Sequence, residues 1–368
     1  MKLFHLLFAL FIVLFISSCV KRHTFRAPEP AQELKVAMIL PDKLIGRYSY
    51  STSTAVFAYF LTRERPFMLK SFQVADESPE EMERVLNEIK EQEFHYVIAP
   101  LTPIGARFIV ENEYELNVFF PTINKNDFST AAENIYFGAI DYRAQIDKLV
   151  SLASSPLVIM YDKSAQGKKL LKMTEESYLE SGKLFQPTSC RQVSLHEGVP
   201  YLSGLEPKKK KVIAYGIDKK TSNLKHHFKK NKEIQFGSFF LDTPPVKSTM
   251  ILSQLSLNDT KVTNTLSTQI NYDPLILSMT QKKDRENLYI ANSISIRNDT
   301  LVDTNSLLSN DIVYDWINYA STIGADYFYH MITDSDRTYQ LPMVDNQIIY
   351  PISIVQPYGS HFKVVTDL

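Results

Sequence analysis

Short apolar runs alternate with longer helix-like segments from Leu34 to Leu241, and this alternation limits the possible folds more than any other feature of the sequence. The run from Leu34 to Leu40 is rich in branched residues and predicts a buried strand. The sequence Ser78-Pro79-Glu80-Glu81 then predicts the start of a helix that runs to about Gln92. Parallel strands need crossover connections, so this alternation predicts α/β structure in which mainly parallel sheets carry helices on both faces.

The length of the chain fits two such sheets better than one, so we expect two lobes. The pattern divides near Phe137 to Tyr142 and breaks again at the turn-rich segment from Asp242 to Pro245. We therefore assign residues to the lobes and the terminus as follows: 34–138 with about 246–345 in lobe 1, 139–245 in lobe 2, and 346–368 in a C-terminal strand or hairpin.

Composition and motifs argue against several functions. The 368 residues carry a net charge of -1, which gives no electrostatic case for a nucleic-acid partner. Glycine is scarce, at 11 residues, and the sequence contains no Gly-x-Gly-x-x-Gly, no phosphate-loop motif and no Gly-x-Ser-x-Gly elbow. We expect a protein that is not an enzyme, with no catalytic residue, metal or cofactor.

The N-terminal residues predict where the protein is located. An apolar run from Leu3 to Phe15 ends at Ile16-Ser17-Ser18-Cys19, which resembles the lipobox of bacterial lipoproteins. This predicts a signal peptide over residues 1–18, a lipidated Cys19 that carries palmitate-like acyl chains, and a tether over 19–33. Val20 favours the outer over the inner membrane by resemblance to known sorting patterns. A transmembrane anchor and an ordinary secretory signal are the alternatives.

Candidate binding residues follow the predicted strands, because open α/β sheets place ligand contacts beyond the carboxyl ends of their strands. Hydroxyl groups, aromatic rings and a carboxylate at these positions suit a small polar zwitterion. The alternative is that they are turn residues and rings that only cover a crevice. The eight candidates are Tyr48, Ser49, Thr102, Thr122, Asn124, Tyr161, Asp162 and Tyr215.

Two C-terminal segments are dense in aromatic and amide residues. They are Asn271 to Leu277 and Asp311 to Tyr319. In the second segment, Ile312, Trp316 and Tyr319 have helical spacing, and we interpret both segments as core packing.

Three motifs carry a resemblance to a known family. Ile98-Ala99-Pro100-Leu101-Thr102 looks like the third strand and following turn of the type I periplasmic binding protein superfamily, with Ala99 where that family has glycine. Phe120-Pro121-Thr122-Ile123-Asn124 and Asn134-Ile135-Tyr136-Phe137-Gly138 are similar to its lipoprotein branch called LppC. The resemblance implies a two-lobed fold whose loops close on a ligand across a cleft. It also implies a penicillin-binding protein activator-like lipoprotein that lacks the N-terminal helical-repeat domain of the longer members.

Together these features favour a non-catalytic, lipid-anchored periplasmic binding or adaptor protein of the cell envelope. Its partners would be the membrane, through the lipid anchor, and an envelope enzyme or other protein that it contacts. The alternative is a substrate-binding receptor of an ABC transporter for an amino acid or another small polar ligand.

Overall fold

The computed structural model of the protein describes four stretches of the chain: residues 33–112, 114–181, 210–295 and 297–366. The predicted signal peptide, Cys19 and the tether up to residue 32 lie outside the described residues. Within the described part of the chain, no helix is long and apolar enough to cross a membrane.

The described residues form two seven-stranded sheets, one in each lobe. The sheet of the first lobe has the order β11-β12-β5-β4-β3-β1-β2, and β11 is its antiparallel edge strand. Its strands are β1 (Leu34–Leu40), β2 (Phe67–Gln73), β3 (Tyr96–Ile98), β4 (Asn117–Phe120), β5 (Ile135–Phe137), β11 (Met343–Val344) and β12 (Gln347–Ile348).

The sheet of the second lobe has the order β14-β13-β10-β9-β8-β6-β7. Five of its strands are parallel, and β13 and β14 form an antiparallel hairpin at one edge. Its strands are β6 (Leu157–Asp162), β7 (Val212–Ile217), β8 (Gly237–Asp242), β9 (Val262–Ser267), β10 (Leu288–Asn292), β13 (Ser353–Tyr358) and β14 (His361–Val364).

Helices cover both faces of each sheet. One face of the first sheet packs against α2 and α11 and the other against α3 and α4, while α5 and α6 cover one face of the second sheet and α8 the other. The helices are α1 (Asp42–Ile45), α2 (Arg47–Leu61), α3 (Pro79–Glu91), α4 (Pro103–Glu111), α5 (Tyr142–Val150), α6 (Ala165–Ser181), α7 (Lys225–Phe228), α8 (Pro245–Leu257), α9 (Pro274–Met279), α10 (Asp299–Leu307) and α11 (Trp316–Thr333).

The local sequence explains these elements. Six of the seven residues of β1 are buried, as expected for a parallel strand with helices on both sides. The helix α3 begins at Pro79 as predicted, although the Ser78 hydroxyl makes no capping hydrogen bond. Thr102 caps α4, where its side chain accepts a hydrogen bond from the backbone N–H of Ile104. Local propensity and burial therefore agree in this half of the chain.

The predicted α/β architecture of two mainly parallel, helix-flanked sheets is confirmed. The division after residue 245 differs from the prediction. Asp242 to Pro245 is an ordinary connection from β8 to α8, and the chain continues in the second sheet through β9 and β10 to Asn292. It then returns to the first lobe for α10, α11, β11 and β12, and crosses again before Ser353. The assignment of about 246–292 to lobe 1 was wrong because β9 is too polar to stand out as a buried strand.

Candidate functional site

A cleft of about 700 Å³ opens between the two lobes. The first lobe contributes the start of α2 and the connection from α10 to α11. The second lobe contributes the start of α8 and the segment after β9. The lining residues are Tyr48, Tyr50, Ser51, Pro244, Pro245, Gln269, Ile270, Tyr272, Asp273, Pro274, Ser309, Asn310, Asp311, Tyr314, Asp315, Trp316, Ile317 and Asn318.

Aromatic rings from both lobes meet at this cleft. The ring centroids of Tyr272, in the second lobe, and Tyr314, in the first, lie 5.1 Å apart. Tyr272 also packs against Phe362 of the hairpin, at 4.8 Å. Tyr142 at the start of α5 lies edge-on to Trp316, with centroids 6.3 Å apart. The contacts of Tyr272 with Tyr314 and of Tyr142 with Trp316 join the two lobes on the cleft side.

Three carboxylates lie along the same cleft, and each caps a turn or helix. Asp273 accepts a hydrogen bond from the backbone N–H of Leu275 at 2.7 Å, at the start of α9. Asp311 accepts from the N–H groups of two following residues, at 2.6 and 3.0 Å. Asp315 caps α11 with bonds of 3.0 and 3.2 Å. The described lining contains no lysine, arginine or histidine.

A buried amide network fixes the segment after β9. Gln145 of α5 donates to the hydroxyl of Ser293 at 2.7 Å and accepts from the backbone N–H of Gln269 at 2.9 Å. The side-chain oxygen of Gln269 accepts from the N–H of Ser293 at 2.6 Å, and its amide nitrogen donates to Asn292 at 3.1 Å. Gln269 also lines the cleft. This network therefore connects one wall of the cleft to the segment after β10, where the chain returns to the first lobe.

The lobes also meet at an ion pair. Lys169 of α6 and Asp127 of the first lobe form an ion pair across the gap, with 2.7 Å between Nζ and Oδ1. Both side chains are partly exposed, so this ion pair contributes little stability by itself. This ion pair is one of the contacts between the two lobes.

Asp242 ends β8, next to the prolines that line the cleft, and it is 1% exposed. Thr174 donates to its Oδ2 at 3.2 Å, and its Oδ1 has no hydrogen-bond partner among the described residues. Burial raises the pKa of Asp242 to about 7, and the hydrogen bond from Thr174 lowers it only in part. Burial also raises the pKa of Tyr142, and the charge of Asp242 and the nearby Tyr48 add to that shift.

The start of α4, at the carboxyl edge of the first sheet, is occupied by a side chain of the protein. Glu77 is 1% exposed, and its carboxylate accepts from the backbone N–H groups of Thr102 at 2.8 Å and Gly105 at 2.9 Å, and from the Thr102 hydroxyl. A Cβ on Gly105 would lie 2.8 Å from the Glu77 carboxyl carbon, so glycine leaves the room that the carboxylate fills. Glu77 has a φ of 56°, in the left-handed region that glutamate rarely adopts. A helix N-terminus attracts anions, and here the protein supplies the anion itself.

The structure does not bring the eight candidate residues together, although all of them are described. Tyr48 lines the cleft. Ser49 is buried and its hydroxyl donates to Asp42, while Thr102 binds Glu77. The Thr122 hydroxyl donates to the Leu101 carbonyl at 2.7 Å.

The other four candidates lie elsewhere. Asn124 caps the short helix at 125–127 and lines a separate cavity of about 250 Å³ beside the crossings between the lobes. Tyr161 packs partly buried against the core of the second lobe, and Asp162 accepts from the N–H of Ser164 at 2.8 Å in a turn. The ring of Tyr215 lies 4.5 Å from that of His227. Apart from Tyr48, these residues have local structural contacts and do not line the cleft.

Sequence reasoning missed the residues that dominate the cleft. Tyr272, Tyr314 and Trp316 were interpreted as core, but they are half-buried and line the opening. Their neighbours Ile312 and Tyr319 are buried, so the interpretation holds for part of that segment. The density of aromatic residues beside acidic ones was the available signal.

No family model matches the sequence, and no curated protein matches it to a significant degree. Solved structures do match the fold. One is the substrate-binding protein LivJ of a branched-chain amino acid transporter from Streptococcus pneumoniae, in complex with isoleucine, at 11% identity and a TM-score of 0.61, covering 91% of this chain and 99% of that one. Another is an amino acid ABC transporter substrate-binding protein from Pseudomonas fluorescens, at 11% identity and 0.59, covering 91% and 95%.

A putative branched-chain amino acid ABC transporter protein from Rhodospirillum rubrum matches at 8% identity with a TM-score of 0.61, covering 90% of this chain and all of that one. These likenesses show that the chain has the two-lobed type I periplasmic binding protein fold. The neighbours are described as binding or transport proteins. The narrower likeness to the LppC branch is not shown and stays a prediction.

Proposed function

We propose that the protein is a non-catalytic receptor that holds one small polar molecule in the cleft between its lobes. The cleft itself is the observation that supports this most directly. It is lined from both lobes, and its volume of about 700 Å³ lies within the roughly 300 to 1,000 Å³ of ligand pockets in general. Half-buried rings and carboxylates along it supply both contact area and orientation.

The alternative stated from the sequence, a transporter receptor for a small solute, therefore takes precedence over the adaptor. The structural neighbours are described as amino acid transporter proteins, which supports a solute as the partner. No finding supports an envelope enzyme as the partner. Attachment through a lipidated Cys19, a periplasmic location and delivery to the outer membrane belong to the same proposal, and the Cys19→Ala variant should then leave the membrane fraction.

The crossings between the lobes suit hinge motion. Within the described residues, three chain segments join the lobes, and contacts such as the Lys169 to Asp127 ion pair can open without unfolding either sheet. A ligand that touches both walls of the cleft would favour the closed arrangement, because it binds that state more tightly than the open one.

Thermal unfolding with a panel of amino acids, amines and sugars tests the proposal. A bound compound should raise Tm in proportion to the logarithm of its excess over Kd, by stabilising the folded state. Tyr50→Ala should weaken this shift, because Tyr50 lines the cleft and is 73% exposed. The matched control is Tyr358→Ala, an equally accessible tyrosine at 63% exposure on the hairpin. The proposal fails when no compound at millimolar concentration shifts Tm, or when both variants respond alike.

A further inference from the structure

We propose that the ligand of this cleft is a small organic cation, an amine or a quaternary ammonium compound, and not an amino acid held through its carboxylate. This inference rests on the proposed function and narrows its substrate class. Three features of the described residues support it.

The first feature is the set of rings. Tyr48, Tyr50 and Trp316 line the cleft from the first lobe, and Tyr272 and Tyr314 meet across it at 5.1 Å. A cation within about 6 Å of a ring centroid is attracted to the face of the ring, by about 0.5 to 2 kcal/mol per ring. Several rings around one opening are the arrangement that recognises ammonium groups.

The second feature is spare acceptor capacity on the carboxylates. Asp273 and Asp311 each use Oδ1 to cap a turn or helix, and their second oxygens have no hydrogen-bond partner among the described residues. A protonated amine has N–H donors for such oxygens and a quaternary ammonium group has the opposite charge, whereas a ligand carboxylate would be repelled by them. The described lining has no basic side chain to balance them. Arg297 lies near enough to partly offset the rise in the pKa of Tyr272, which burial raises to about 12, but it does not line the cleft.

The third feature is that two of the helix starts that line the cleft are capped by carboxylates of the protein. Asp273 caps α9 and Asp315 caps α11. The helix α8 begins at Pro244 and Pro245, which lack N–H groups, and the start of α2 has no side-chain cap. Backbone N–H groups at helix starts commonly bind anionic groups. A ligand carboxylate therefore finds no basic side chain in the described lining, and among these four helix starts only that of α2 lacks both a carboxylate cap and a leading proline.

A panel of matched pairs tests the charge preference. Each amine is paired with the amino acid that differs from it by one carboxylate: tyramine with tyrosine, histamine with histidine, cadaverine with lysine and agmatine with arginine. Choline is paired with glycine betaine. Binding is followed by calorimetry and by the fluorescence of Trp316, which is the one tryptophan of the chain and lies in the cleft. We expect the amine of each binding pair to bind at least about tenfold more tightly than its carboxylate counterpart.

Three results would overturn this inference or its basis. Tighter binding of the carboxylate member in the pairs that bind, or binding confined to neutral or anionic compounds of the wider panel, overturns the cation preference and leaves the receptor proposal standing. Absence of binding by every compound of both panels overturns the receptor proposal as well.

Charge-neutral variants locate the binding. Asp273→Asn and Asp311→Asn keep the capping oxygen and remove the charge, and each should weaken amine binding by about threefold to tenfold. Asp218→Asn is the matched control, because Asp218 also accepts a backbone N–H, from Thr221 at 2.9 Å, but lies outside the cleft lining. Amine binding that is unchanged in both cleft variants would place the cation elsewhere and contradict the inference.

Discussion

Each sheet carries a buried carboxyl group at its carboxyl edge, and the two are held differently. Glu77 in the first lobe accepts hydrogen bonds from two backbone N–H groups and one hydroxyl. Asp242 in the second lobe has one donor, the Thr174 hydroxyl at 3.2 Å, and one oxygen without a partner among the described residues. Both side chains are 1% exposed.

The difference shows that burial alone does not decide what a carboxyl group does. Removing a charge from water is costly unless hydrogen bonds replace those of the solvent. Glu77 has these replacements and completes a helix end, so it acts as part of the structure. Asp242 lacks most of them, and its pKa rises to about 7 as a result. At the carboxyl edge of the first sheet, Glu77 is held by hydrogen bonds within the protein. At the edge of the second sheet, Oδ1 of Asp242 has no donor among the described residues and lies beside the cleft.

The largest expected effect is the pH dependence caused by Asp242. Its pKa in the folded protein, about 7, lies above the ordinary value of 3.8, so between these values the folded protein binds more protons than the unfolded chain. Its contribution to stability is therefore present below about pH 4 and is lost as the pH rises through 7, by up to about 4 kcal/mol.

Urea unfolding of the wild type and of Asp242→Asn from pH 4 to 8 measures this effect. The wild type should lose stability relative to the variant as the pH rises, because asparagine stays neutral throughout. The comparison with the variant cancels the titration of distant groups. Parallel stability curves for the two proteins would show that Asp242 is solvated and that the proposed contrast between the edges is false.

The next effect is the loss of Glu77. Glu77→Ala leaves the N–H groups of Thr102 and Gly105 without their acceptor and should lower the free energy of unfolding by about 2 to 4 kcal/mol. Glu80→Ala, at an exposed position of the neighbouring helix, is the control and should stay within about 0.5 kcal/mol. Denaturant unfolding measures both.

A double-mutant cycle sharpens this prediction. Gly105→Ala should destabilise the wild type, because the new Cβ would lie 2.8 Å from the Glu77 carboxyl carbon. The same change should cost much less in the Glu77→Ala background, where the carboxylate is gone. An equal loss of unfolding free energy in both backgrounds would mean that the Glu77 carboxylate does not lie beside Gly105 at the start of α4.

The fold could be predicted largely from the sequence because the strands of the first lobe are short, apolar and well separated. The prediction failed at β9, because four of the six residues of Val262-Thr263-Asn264-Thr265-Leu266-Ser267 are polar. Hydrogen bonds to β8 and β10 stabilise this strand, and the sequence of one segment does not reveal such partners. The lobe division after residue 245 failed for this reason.

The same omission explains why seven of the eight predicted residues do not line the cleft. The rule that ligands bind beyond strand ends found Tyr48 after β1, but the loop after β9 that carries Tyr272 could not be considered without β9. Trp316 starts a helix that follows another helix, so that rule does not apply to it. Glu77 gave no local signal, because its partners lie 25 and 28 residues away.

The smallest expected effect concerns Thr122, one of the predicted binding residues. Its hydroxyl donates to the Leu101 carbonyl at 2.7 Å, so Thr122→Val should cost about 1 kcal/mol of stability. Thr300→Val, at an exposed position in α10, is the control and should stay within about 0.5 kcal/mol. Because Thr122 does not line the cleft, ligand affinity should be unchanged in calorimetry. A loss of affinity with little loss of stability would instead place the ligand at Thr122, one of the eight predicted residues, and would remove the contrast between the two edges.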